Sequence, residues 1–339
     1  MTGEINIIRI QPSEMKSEFV RILLKYGFTQ ESAEKCSEIF TVNTLEGVAS
    51  HGINRFPRFI NNVRDGYVKP GQIPVFVHGA GALEQWDGRL GPGPLNAVFA
   101  TDRAVEIAAS KGIGLVALAN TNHWMRGGTY GWHAAKKGYI FIGWTNTEAN
   151  MPAWGAEYPR LGNNPLIFAL PFKDEAIVLD FAMTQFSYGK MESYKMSGEK
   201  LPFPGGFNKN GELTTDPEGI LETRRTLPIG YWKGAGLSLL LDLLAVVLSG
   251  GKSVSEITKA GTEHALSQVF IAINPQNLSN FRAIDETIGR VIADFRQSIP
   301  SDGKTQVRYP GENILKQREI NSQNGIPVSS EIWQRILNL

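Results

Sequence analysis

Two apolar runs, Leu166–Leu170 and Ala176–Phe181, stand too close together in the chain for a crossover helix to fit between them. Strands joined by a short turn pair antiparallel, whereas a parallel neighbour needs a connection of a dozen or more residues. A mixed sheet is therefore expected rather than a purely parallel one. Elsewhere the pattern alternates. Gly114–Leu118 reads as a buried strand, Thr129–Lys137 as a helix closed by Gly138, and Tyr139–Ile142 as a strand, which together make a β-loop-α-β unit. A further strand is expected at Gln268–Ile273, with long helices near Gly236–Leu248 and Ala283–Arg296. The expected class is α/β.

The N-terminal part is helical in pattern. Phe19, Ile22, Leu23 and Tyr26 recur at helical spacing after Ser13 and stop at Gly27. A second helix is expected over Thr29–Val48, burying Ala33, Cys36, Ile39 and Phe40, before Gly47–Gly52 breaks it. Asn54 is a good N-cap and Pro57 suits a first turn, so a third helix should begin near Arg55 and end by Gly66. Between Pro70 and Gly93 glycine and proline accumulate, which marks a connection with short strands and a candidate domain boundary. The helix Leu95–Ser110 follows, with Gly112 as its C′ residue.

Charge narrows the range of partners. The 34 Lys and Arg nearly cancel the 33 Asp and Glu, with no basic block, so neither nucleic acid nor an anionic membrane surface is favoured and small molecules are expected. One cysteine, Cys36, excludes an internal disulfide framework and a thiolate metal cluster, and fits a reducing cytoplasm. Met1–Ile10 lacks the charged and apolar regions of a signal peptide, so a cytoplasmic location is expected. The apolar run Leu237–Leu248 contains Asp242 and spans about 18 Å as a helix against a hydrocarbon core of roughly 30 Å, which reads as a buried helix.

Several familiar signatures fail. Gly112-Ile-Gly-Leu-Val-Ala117 resembles a dinucleotide fingerprint, but its glycines follow a helix and precede a strand, the reverse of a phosphate-binding turn. Gly250-Gly-Lys-Ser253 resembles the end of a P-loop, yet Val246 stands where the first glycine belongs; a helix end and a turn explain it. No two of His51, His78, His123, His133 and His264 have the i, i+4 spacing of a helical metal site, so no metal is expected. A Gly-x-Ser-x-Gly elbow is also missing.

Four segments concentrate chemistry. Ser50-His51-Gly52-Ile53-Asn54-Arg55 offers an imidazole able to give a proton near neutral pH beside a guanidinium suited to a carboxylate, although Ser50 and Asn54 equally serve as turn and cap residues. Asn120–Gly128 follows a strand and precedes a helix, where ligands of open α/β sheets bind; it presents His123 and Arg126, while Trp124 and Met125 fit a packing role. Asp180 ends an apolar strand, where it either orients a histidine or caps the turn Ala182–Thr184. Tyr231-Trp-Lys-Gly-Ala-Gly236 opens the apolar helix, so its amides and Lys233 suit a phosphate, or its glycines permit close packing.

These segments together resemble the malate/L-lactate dehydrogenase family that is unrelated to the Rossmann-fold enzymes of similar name. The resemblance is carried by SHGINRFPRFI at 50–60, NHWMRGGTYGW at 122–132, GNNPLI at 162–167, FSYGK at 186–190 and GYWKGAG at 230–236, and spans nearly the whole chain. It implies a homodimeric, NADH-dependent reductase of a keto acid, NADPH being the less favoured nucleotide, with a distinctive mixed-sheet cofactor fold. The expected division is a helical region 1–78 packed with the segment 299–339, and a cofactor domain 79–298. By this resemblance His51 is the proton donor. Ala176, Ile177, Val178, Leu179, Asp180, Phe181 and Ala182, with Trp232 and Lys233, contact the cofactor, and Gly311-Glu312-Asn313 closes on it. Glu312-Asn313 replaces a His-Glu pair, which leaves the side-chain contact there open.

The mechanism expected from these residues reduces the C2 ketone of a 2-keto sugar acid. His51, as imidazolium, protonates the developing alkoxide, Asp180 holds the histidine, and Ser50 is its local partner. Arg55 holds the substrate carboxylate, with His123 and Arg126 lining the pocket. Rival readings are another α-keto or cyclic imino acid as substrate, a zinc-dependent hydrolase built on His51, His123 and Asp180, and a sugar-acid binding protein without turnover.

Overall fold

The computed structural model describes residues 6–339. Strand β1 (Ile7–Ile10) leads into helices α1 (Pro12–Lys25), α2 (Gln30–Leu45) and α3 (Phe56–Arg64), with a 3-10 turn, Ala49–His51, between the last two. Thr29 caps α2 by accepting a hydrogen bond from the Ser32 amide. Phe19 stacks on Phe56 with ring centroids 4.1 Å apart, and Phe40 meets Phe56 edge-on at 5.0 Å, so the three helices share one aromatic core.

The third helix starts differently from the expectation. Its N-cap is Arg55 rather than Asn54, and no side chain caps it. The chain enters from a turn that is already helical: the amides of Arg55 and Phe56 both donate to the Gly52 carbonyl, so a capping side chain has little left to satisfy.

Next come β2 (Val75–Ala80), β3 (Leu83–Asp87), α4 (Gly93–Lys111), β4 (Ile113–Thr121), α5 (Gly128–Lys136) and β5 (Ile140–Thr145). They are followed by the short β6 (Met151–Pro152) and β7 (Pro159–Leu161), then by β8 (Leu166–Phe172) and β9 (Glu175–Phe181). After α6 (Tyr188–Ser197), β10 (Gly206–Phe207), β11 (Leu213–Thr214) and α7 (Pro217–Thr223) come α8 (Trp232–Ser249), α9 (Val254–Lys259), β12 (Leu266–Ile273) and α10 (Ile284–Phe295). The chain closes with α11 (Glu312–Asn324), β13 (Ile326–Ser329) and α12 (Ser330–Leu337).

Seven strands form one mixed sheet in the order β2-β3-β4-β12-β5-β8-β9. Among the described residues only β3 and β4 pair in parallel, and β8–β9 is the antiparallel hairpin that the sequence requires. β12 runs antiparallel between β4 and β5, so the β-loop-α-β unit exists but its two strands are not neighbours. Gly112 ends α4 with φ 85° before β4, and Gly250 ends α8 with φ 68° before Ser253 caps α9, which confirms that both glycine motifs are helix ends.

The first strand and the C-terminal elements meet the N-terminal helices. β1 pairs antiparallel with β13, and Trp333 and Ile336 enter the core that holds Phe19, Phe40 and Phe56. A separate core lies between α4, α5 and the sheet, around Tyr130, Phe141 and Phe270. Helix α8 departs from the expected buried helix: Gly234, Ala235, Ser238, Leu241 and Ala245 face the protein, while Leu239, Leu240, Leu243, Leu244 and Val247 are exposed. A helix apolar on all sides gives no periodicity from which to read a buried and an open face.

Candidate active site

His51 ends the 3-10 turn, where the chain passes under α2. A side chain at Gly52 would collide with Thr44 and with the Phe40 carbonyl, so only glycine lets the turn come this close. The Asn43 amide donates to the His51 carbonyl at 2.9 Å and fixes the backbone. The imidazole Nδ1 lies 3.0 Å from Ser50 Oγ, which leaves Nε2 for a ligand. Burial first, then the charges of Arg55 and Arg126, lowers its pKa to about 4.

The loop after β4 brings His123 against it. Its Nδ1 accepts a hydrogen bond from the Met125 amide at 3.0 Å, so the neutral ring carries its proton on Nε2. Burial, Arg55, His51 and Arg58 hold it well below the usual histidine range. Asn122 anchors the loop by donating to the Tyr67, Leu90 and Gly91 carbonyls.

Arg55 donates through Nη2 to Glu263 at 3.2 Å, its one side-chain hydrogen bond among the described residues, so the rest of its fork is free for a carboxylate. Arg126 and Asp180 differ from their expected roles. Arg126 is 6% exposed and its guanidinium pairs with the buried Glu46, which also takes Arg318; a buried ion pair replaces the expected pocket lining. Asp180 accepts from the Gly128 amide at 2.7 Å, not from His51, whose side-chain partner is Ser50. Solvent reaches Asp180 although protein surrounds it, so it lies in a cleft; crowding raises its pKa, and Arg126 and the Gly128 amide oppose that rise.

The segments expected to hold a cofactor gather at the outer edge of the sheet. Among the described residues β9, which carries Ala176 through Phe181, has a strand partner on one side only. The amide of Ile229 donates to Met183 just beyond Ala182, bringing Trp232 and Lys233 alongside; both are exposed. Across β9, Gly311 has φ 91°, and a Cβ there would lie 3.1 Å from the Val178 nitrogen. The phosphate seat at the start of α8 is weaker than expected. The amides of Lys233 and Gly234 already donate to Gly230 and Ile229, so few remain for an anion. Glu312 pairs with Arg296 at 2.6 Å and Asn313 accepts from Arg308 at 2.9 Å, so both side chains already have partners within the C-terminal part of the chain.

Glu46, Glu148 and Glu263 were not among the residues singled out from sequence. Glu263 stands 208 positions from its partner Arg55, and no local pattern marks such a pair. Among the described residues no three His, Cys, Asp or Glu side chains group as metal ligands.

The family model for malate/L-lactate dehydrogenase matches residues 10–337. The chain belongs to the malate/L-lactate dehydrogenase family. Within this family it is 44% identical over 330 residues to the 2,3-diketo-L-gulonate reductase of Salmonella newport (strain SL254), covering 97% of this chain and 99% of that one. A malate dehydrogenase from Entamoeba histolytica has the same fold, with TM-score 0.92 at 23% identity over 98% of this chain and 99% of that chain. A sulfolactate dehydrogenase from Methanocaldococcus jannaschii aligns with TM-score 0.87 at 27% identity over 98% of each. This malate/L-lactate dehydrogenase family member is thus an oxidoreductase with the mixed sheet read from its sequence.

Proposed function

We propose that the chain reduces a 2-keto sugar acid with NADH, 2,3-diketo-L-gulonate to 3-keto-L-gulonate being the leading reaction. The observation that carries this reading is the pairing of His51, its Nε2 free, with an Arg55 fork that retains unused donors. The curated relative at 44% identity supplies the substrate class.

The outer edge of β9 fits a nicotinamide cofactor, because it is open on one side and carries Asp180, which accepts from the Gly128 amide at the end of the loop that bears His123. Ala176–Ala182 with Trp232 and Lys233 would hold it, and the bound dihydronicotinamide supplies a hydride. Arg55 grips the substrate carboxylate as a bidentate pair. His51 Nε2 gives its proton to the C2 oxygen as that oxygen gains charge. In the free chain His51 is neutral at pH 7, so the imidazolium expected from sequence is not preloaded. A substrate carboxylate on Arg55 offsets one of the two cations that depress the ring, and the proton enters with the substrate. His123 lies parallel to His51 and walls the pocket.

In this reading residues 1–78 with 299–339 form one unit and 79–298 the cofactor unit, and the enzyme is a cytoplasmic homodimer. The exposed apolar side of α8 supports the dimer. The test is consumption of NADH and NADPH with 2,3-diketo-L-gulonate, pyruvate, oxaloacetate and a cyclic imino acid. The sugar acid with NADH should give the highest kcat/KM, and a chain active only on the others refutes the assignment.

A further inference from the structure

The loop between β5 and β6 carries a carboxylate that the mechanism above does not use. Its backbone is tied down at four consecutive amides. Thr147 donates to Asn164 at 3.1 Å, Glu148 to Glu263 at 3.5 Å, Ala149 to Thr258 at 2.8 Å and Asn150 to the Leu161 carbonyl at 2.9 Å. The Tyr188 hydroxyl donates to the Asn150 carbonyl at 2.6 Å, and Arg224 to that of Ala149 at 3.3 Å. The loop is held in place from both sides, yet among the described residues the Glu148 carboxylate has neither a hydrogen bond nor an ion pair.

Glu148 also stands beside the substrate clamp. One carboxylate, that of Glu263, takes Arg55 on one oxygen and the Glu148 amide on the other. The Glu148 backbone is therefore one bridging side chain from the expected seat of the substrate carboxylate, and its carboxylate is near enough for the Arg55 charge to act on it. Burial and the Glu263 carboxylate raise its pKa, and Arg58, Arg224 and Arg55 offset part of that rise. A carboxylate without a partner on a backbone held this firmly is an acceptor open to donors that a ligand brings.

We propose that Glu148 selects the distal end of the substrate, accepting hydrogen bonds from the hydroxyls of a polyhydroxylated 2-keto acid and repelling a second carboxylate. This rests on the reductase reading of the same site. It gives that reading a reason to prefer a sugar acid over a dicarboxylate: hydroxyls satisfy Glu148, whereas a dicarboxylate sets its second anion against Glu148 and the neighbouring Glu263.

The test measures kcat and KM with NADH for 2,3-diketo-L-gulonate and for oxaloacetate in the wild type, Glu148→Gln and Glu148→Asp. A hydrogen bond to a charged group is worth about tenfold or more. In Glu148→Gln, kcat/KM for the sugar acid should fall about tenfold, mainly through KM, and that for oxaloacetate should rise by a similar factor. Glu148→Asp, which keeps the charge, should still discriminate against oxaloacetate. An active wild type whose ratio of the two substrates stays within threefold in Glu148→Gln overturns the role of Glu148 alone. A wild type that reduces no 2-keto acid overturns the reductase reading and this proposal with it.

Discussion

The imidazole rings of His51 and His123 lie nearly parallel, 17° apart with centroids separated by 5.8 Å. Two rings this close in a cleft flanked by Arg55 do not both gain a proton easily, and each depresses the other if charged. The free chain therefore presents a pair of neutral imidazoles. That is the state that accepts a proton when a hydroxy acid is oxidised, and the reduction must load its proton from solvent.

The direction of the pH profile follows. Since kcat/KM reports the free enzyme, reduction requires a protonated ring whose pKa is about 4. Reductive kcat/KM should fall by about tenfold per pH unit above pH 5, while oxidative kcat/KM should be level there and decline only toward pH 4. A reductive profile that is flat between pH 5 and 8 is incompatible with His51 as the donor.

Removing the ring isolates the chemical step. General acid catalysis is commonly worth about 10²–10⁴-fold, so His51→Ala should lose that much kcat. NADH affinity, read by fluorescence titration, should change little, because the segments proposed to hold the cofactor lie on β9 and beyond it. Equal loss of NADH binding would mean that the ring shapes the fold rather than the reaction.

Proton uptake should accompany ligand binding. Titration calorimetry of oxamate, a non-reducible keto-acid mimic, in buffers of different ionisation enthalpy should show a net fractional proton uptake that grows as the pH falls from 7 toward 5. In Arg55→Lys the uptake should shrink and KM for the keto acid should rise tenfold or more, since an ammonium cannot reproduce the fork. Zero uptake in the wild type would remove the link between substrate carboxylate and ring.

Acid stability carries the same signature with a worked sign. His51 has its pKa lowered on folding, from about 6.5 to about 4, so the unfolded chain binds the extra proton first and stability falls as pH drops through that window. Between pH 7 and 5 the loss from this residue is at most about 2 kcal/mol. Urea unfolding of the wild type and His51→Gln at both values should show a smaller pH dependence in the variant.

Much of this was legible in the sequence because it is local. The β8–β9 hairpin follows from the short connection, the glycines at 112 and 250 announce helix ends, and Ser50, His51 and Arg55 lie close together in one short segment between α2 and α3. What was not legible is set by distant partners. The insertion of β12 between β4 and β5 depends on a strand more than a hundred positions away, and Arg126 looked available because Glu46 is remote from it in sequence. Asp180 at the end of a strand gave no sign of whether it would face a histidine or an amide. Helix α6, whose first residue Tyr188 helps hold the Glu148 loop, has no amphipathic period to reveal it.

The open side of α8 makes the final prediction. Leu240 and Val247 are 56% and 73% exposed, and with Leu239, Leu243 and Leu244 they line one face of a helix whose other face packs on the sheet. Contiguous apolar surface of this kind marks an interaction site, and a second copy related by two-fold symmetry is the occupant expected of a homodimer. Light scattering on the purified 37.3 kDa chain should therefore give twice that mass. The double variant Leu240→Glu/Leu244→Glu should halve the mass while leaving the circular dichroism of the fold in place, because both positions point away from the core. A wild type that is already monomeric, or a charged variant that stays dimeric, would move the interface to another surface.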